Sequence, residues 1–141
     1  MSILAWIVLG LIAGAIAKAV AAYSRSLILL GLPGSELVNA GKAAGIRVAC
    51  EVFADRAYEP DGQLASRRKA GSVIHDPDKV VERAVRMVKD KTVVATDGSI
   101  VRLEADTLCV HGDTPGSDDL AAKLRAGLER AGVTVRPIGS E

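Results

Sequence analysis

Apolar and polar positions alternate along the chain in blocks that read as strands and helices in turn. Ile3 to Ala17 carries no charged or strongly polar side chain, Lys18 follows, and apolar residues resume to Tyr23. This block predicts a hydrophobic helix. Ser26 to Leu30 is a short apolar run closed by Gly31-Leu32-Pro33-Gly34, a turn signal. Ser35 then caps a helix to about Ala44, with Gly45 as its stop. Ile46 to Phe53 reads as a buried strand. Ala54 to His75 has little periodicity and predicts a long loop, of the kind that is functional or disordered in a compact domain. Asp76 and Pro77 are a cap and first position for a helix to about Lys89. Val80, Val81, Ala84, Val85 and Val88 share one face of it, and Glu82, Arg83, Arg86 and Lys89 take the other. Thr92 to Ala95 and Ile100 to Leu103 flank Asp97-Gly98 and predict a hairpin. Thr107 to Val110 is another buried strand. The last helix carries Leu120, Leu124 and Leu128, ends at Gly132, and leads to a short strand from Val133 to Val135.

Two stretches share one plan. Ile28 to Val48 runs strand, Pro33-Gly34-Ser35, helix, strand, and Leu108 to Val135 repeats it around Pro115-Gly116-Ser117. Repetition of such units predicts an α/β fold with a parallel sheet, or a β/α barrel. In both, ligand chemistry gathers at the carboxyl ends of the strands. Those ends carry Glu51 to Tyr58 and His111-Gly112-Asp113.

Composition narrows the function. The 141 residues carry a net charge of +1 and are only 3% aromatic. Neither a basic excess nor a set of stacking platforms is present, which argues against nucleic-acid binding. The apolar start approaches the ~20 residues needed to span a bilayer if Lys18 snorkels. Trp6 and Tyr23 stand near its ends, and Gly10 and Gly14 form a G-x-x-x-G pair. A membrane segment and a buried helix both fit. Cys50 and Cys109 supply neither a disulfide framework nor a zinc set, and read as buried thiols.

Glu51, Asp55, Arg56 and Tyr58 follow a buried strand closely. Arg56 can clamp a carboxylate or phosphate, and Glu51 or Asp55 can serve as a base; an ion pair anchoring the long loop fits equally. His111 at a strand end, with Asp113 two residues on, suits proton transfer or metal binding, or a hydrogen-bonded turn. His75 reads as structural. Arg67-Arg68-Lys69 is a basic run in the loop, either solvated or within reach of an anion. Neither G-x-x-x-x-G-K-[ST] nor G-x-G-x-x-G occurs.

Cys50-Glu-Val-Phe-Ala-Asp-Arg-Ala-Tyr-Glu-Pro-Asp-Gly62, Val73-Ile-His-Asp76 and Asp106-Thr-Leu-Cys-Val-His-Gly-Asp113 resemble segments of the LamB/YcsF family, the A subunit of bacterial 5-oxoprolinase. The similarity runs from about Ala15 to about Ile138, in the order of the family's C-terminal half. It implies part of a β/α barrel, distantly similar to polysaccharide deacetylases, over residues 24–141, after a hydrophobic helix over residues 1–23. It also implies ATP-dependent opening of 5-oxoproline to L-glutamate with partner subunits B and C, ATP acting in the complex, and a cytoplasmic location. His111, Asp113 and Glu51 are then the catalytic candidates, Asp55, Arg56 and Tyr58 the substrate-binding ones, with no metal. The family's N-terminal half has no counterpart here, and Met1 to Gly14 stands in its place. Met1 to Lys18 itself resembles the first hydrophobic segment of small transglycosylase-associated membrane proteins. Lactam opening needs an activated nucleophile, a proton donor for nitrogen and stabilisation of an oxyanion. Half a barrel supplies part of that set, so little activity is expected of the chain alone. The alternative is a membrane-anchored or oligomeric binding module without catalysis.

Overall fold

A computed structural model describes residues 28–112 and 115–138. The predicted helix over residues 1–23 and the candidate Asp113 lie outside the described residues. In chain order the elements are β1 (Ile28–Gly31), α1 (Glu36–Ala43), β2 (Arg47–Phe53), α2 (Pro77–Lys89), β3 (Thr92–Val94), β4 (Ile100–Arg102), β5 (Thr107–Cys109) and α3 (Ser117–Arg130). No helix among the described residues is long and apolar enough to cross a membrane.

The α/β fold is as expected, with β1, β2 and β5 in one parallel sheet, β2 at its centre. Leu29 lies opposite Val48, and Phe53 opposite Cys109. Among the described residues the sheet is open at β1 and β5, so a closed barrel is not formed by them. β3 and β4 make the predicted antiparallel hairpin, with Val93 opposite Val101. The two Pro-Gly-Ser turns also form, with Gly34 at φ +76 and Gly116 at φ +79, where a side chain would be strained. Their helix starts differ. Ser35 accepts a hydrogen bond from the Val38 N–H and caps α1, whereas α3 has Gly116 at its cap and no side-chain hydrogen bond there.

The core lies on one side of the sheet, where Val52, Ala54 and Leu108 meet α2 and α3. The buried face of α2 is turned one step from the face that periodicity predicts. Val80, Ala84 and Met87 are its buried positions, while Val81, Val85 and Val88 are only partly buried. Arg83 turns inward and donates from Nε to the Ala54 carbonyl at 3.0 Å and from Nη2 to the Arg56 carbonyl at 2.7 Å. Asp76 caps α2 by accepting from the N–H groups of Asp78 and Lys79. Residues 133–137 form no strand, contrary to expectation; Val133 and Val135 bury against the core without joining a ladder among the described residues.

Residues 54–75 form an ordered excursion rather than a slack loop. Single antiparallel bridges join Arg56 to Val73 and Tyr58 to Leu64. The Ala57 N–H donates to the Ser72 carbonyl at 2.9 Å, and the Ile74 N–H to the Asp55 carbonyl at 2.8 Å. These bonds satisfy backbone groups that burial would otherwise leave unpaired.

Gly127 sets how closely α3 approaches α2. A Cβ there would collide with Cγ1 of Val81. Alanine gains helix propensity but must push the helices apart, so Gly127→Ala is expected to lower stability by about 1–3 kcal/mol. Val81→Ala in the same chain should recover part of that loss. Urea midpoints of the single and double variants check this, and an additive double variant would rule out the close approach.

Candidate active site

Side chains alternate across a strand, so Val52 and Ala54 face the core while Glu51, Phe53 and Asp55 face the other way. Parallel register places Thr107 beside Glu51 and Cys109 beside Phe53. Continued two residues further, that register brings Asp55 and His111 together just past both strand ends. His111 Nδ1 lies 2.7 Å from Asp55 Oδ2, with side-chain exposures of 22% and 10%. An ionised carboxylate only accepts, so Nδ1 carries the hydrogen and a neutral ring keeps Nε2 as its acceptor. Phe53 stacks on the imidazole, centroids 5.6 Å apart and planes 20° from parallel. The ring is thus held by a hydrogen bond on one edge and an aromatic face.

Asp55 is 7% exposed, and its second oxygen, Oδ1, is buried without a hydrogen-bond partner. Its backbone carbonyl is held by Ile74, so the carboxylate is fixed from both ends. A buried acceptor left open costs about 1–3 kcal/mol, more when charged.

Glu51 lies on the same face, earlier along β2. Burial pushes the Cys109 thiol up from its ordinary value, the charges of Glu51 and Asp55 push it further, and a hydrogen bond to Glu51 adds to them. The Cys50 thiol is also raised, first by burial and then by Asp106 and Glu104. Thiolate formation governs alkylation. Cys109 should therefore react with iodoacetamide slowly at pH 8, and Glu51→Gln should accelerate it. An unchanged rate would separate Glu51 from the thiol.

Arg56 and Tyr58 are placed elsewhere. Arg56 is 7% exposed and donates from Nε to the Ser72 carbonyl at 3.3 Å and from Nη2 to the Ala65 carbonyl at 2.7 Å. Its fork holds the 54–75 excursion, the anchoring role that composition left open. Tyr58 is 1% exposed and its hydroxyl accepts from the Phe53 N–H at 2.9 Å. Burial pushes that phenol up from its usual value, although the Phe53 hydrogen bond and the Arg83 charge oppose it. Both side chains support β2 and its loop, and neither shares the sheet face of Glu51 and Asp55.

A cavity of about 630 Å³ opens beside Asp55 and His111. His75, read as structural from sequence, lines it, as do Gly116, Ser117 and Lys123. Phe53, His75 and Lys123 thus join the site without having been marked by sequence reasoning. Phe53 had a signal, since it lies two residues before Asp55 on the same strand face. His75 and Lys123 had none, because their approach depends on the excursion and on α3. Among the described residues no group of three or more His, Cys, Asp or Glu side chains is placed to hold a metal.

The fold and this strand-end arrangement define a parallel α/β domain with an Asp–His pair, and the chain belongs to the LamB/YcsF family, whose model matches residues 10–141. Among its relatives, the 5-oxoprolinase A subunit from Kocuria rhizophila is 53% identical over 124 residues, 88% of this chain and 49% of the relative. A counterpart of the same name from Rhodopseudomonas palustris is 51% identical over 125 residues, 89% of this chain and 49% of the relative. In structure, the chain is similar to a lactam utilization protein from Thermus thermophilus, with a TM-score of 0.77 and 46% identity. That match covers 86% of this chain and 48% of the other. The chain therefore spans about half the length of the relatives it matches.

Proposed function

We propose that the chain acts in 5-oxoproline metabolism as the C-terminal part of a 5-oxoprolinase A subunit, opening the lactam to L-glutamate together with partner subunits B and C. In this reading the three parallel strands are a sector of a β/α barrel. The observation that carries the reading is the Asp55–His111 pair at 2.7 Å, in a chain 53% identical to a subunit of that name. Asp55 orients the imidazole, and Nε2 of His111 moves the proton that lactam opening requires. Glu51 is a second base candidate further along the same face, and Asp113 follows His111 by two residues. ATP provides the driving force in the complex. Its site belongs to the partner subunits in this reading, since this sequence has no glycine-rich phosphate loop. The reaction is placed in the cytoplasm.

Glutamate release from 5-oxoproline with ATP present tests the reading. The isolated chain is expected to give none, because catalytic groups acting as a unit fail together when part of the set is missing. Adding subunits B and C is expected to give release that depends on this chain. Turnover by the isolated chain, abolished by His111→Ala, would show that the partners are dispensable and overturn that part of the proposal. No release with the partners present would overturn the assignment.

A further inference from the structure

Two features at opposite walls of the 630 Å³ cavity are unfinished. One is Asp55 Oδ1, a buried acceptor with no donor. The other is the start of α3, a 14-residue helix whose cap supplies no side-chain acceptor. Its first internal bond runs from the Leu120 N–H to the Gly116 carbonyl, so the N–H groups of Ser117, Asp118 and Asp119 have no partner within the helix. Lys123 lines the cavity two turns into α3 and makes no ion pair among the described residues. Asp119 lines it too and opposes an anion there; Lys123, one turn beyond, offsets that charge.

Together these groups specify a ligand. An N–H is needed at Asp55 Oδ1, and negative charge at the first turn of α3 and Lys123. We propose that this cavity binds a small cyclic amide carrying a carboxylate, with the ring N–H donated to Asp55 Oδ1 and the carboxylate held between the first turn of α3 and Lys123. The proposal rests on the 5-oxoprolinase reading for its ligand and adds the division of labour. Asp55 serves two donors, His111 through Oδ2 and the lactam through Oδ1, so one carboxylate fixes the proton-moving ring against the ring to be opened. The helix terminus and Lys123 supply binding that needs no chemistry, so the chain alone can bind without turning over.

Calorimetric titration of the full chain tests this with 5-oxoproline, N-methyl-5-oxoproline and 2-pyrrolidone, which keep both groups, only the carboxylate, and only the N–H. Each analogue should bind about tenfold or more weakly than 5-oxoproline, the scale of one charge-assisted hydrogen bond. In Asp55→Asn the asparagine oxygen must serve the His111 N–H, which turns its NH2 toward the ligand and removes the acceptor. That variant should lose the same factor for 5-oxoproline and none further on N-methylation. Lys123→Met, a change near the protein surface, should weaken 5-oxoproline but leave 2-pyrrolidone unaffected. If 5-oxoproline binds and both variants bind it like the parent chain, the cavity assignment fails while the 5-oxoprolinase reading stands. If only the six-membered homologue 6-oxopipecolate binds, with both dependences, the cavity stands and 5-oxoproline is the wrong ligand. Binding of none of these at millimolar concentration overturns the site.

Discussion

Alanine in place of His111 is expected to lower glutamate release by about 10²–10⁴-fold in the presence of the partner subunits, the usual contribution of a positioned acid–base group. The imidazole lies 2.7 Å from Asp55 and against Phe53, so its orientation is set before any ligand arrives. A preset ring acts on the transition state rather than on binding, so kcat and kcat/KM should fall together. His111 is 22% exposed in its side chain and lies outside the buried core, so the thermal midpoint should stay close to the parent's. Asp55→Asn should reproduce much of the loss through the imidazole's orientation. A loss of less than tenfold at His111, with the fold intact, would move the proton-transfer role to another residue, with Glu51 the next on that face.

Met87→Ala is expected to cost about 2–5 kcal/mol, the largest single loss of stability in the chain. Met87 is fully buried, among Val80, Ala84, Leu124 and Leu128 where α2 meets α3. Truncation removes the transfer energy of the side chain and leaves a cavity that two helices held at Gly127 cannot easily close. Val85→Ala, on the partly buried flank of the same helix, should cost about 1 kcal/mol. Urea denaturation of both variants decides the order. Equal losses would mean that the α2 face is centred on the valines.

The order of elements is written in short-range chemistry. Ser35 and Asp76 cap helices because their oxygens reach first-turn N–H groups, and Asp97-Gly98 closes a hairpin; each is settled within a few residues. The parallel sheet was readable because two strand–turn–helix units repeat with Val-rich strands. The site was readable only as far as alternation carries. It put Glu51 and Asp55 on one face of β2, but not Arg56 among carbonyls, because its exact partners come from the fold-back of residues 57–72.

Tertiary structure decided the rest. A helix of 13 residues with a wide apolar stripe can bury several of its edges, and packing against α3 chose Val80, Ala84 and Met87. It also drew Arg83 inward, where two loop carbonyls lacked donors. The Asp55–His111 pair spans 56 residues, and only the register of β2 on β5 brings it to 2.7 Å. The sequence by itself determined the chemistry available and the local elements, since caps, turns and alternation act over a few residues. Which side chains meet was decided by the tertiary structure, because strand register and helix packing are set by burial summed over distant segments.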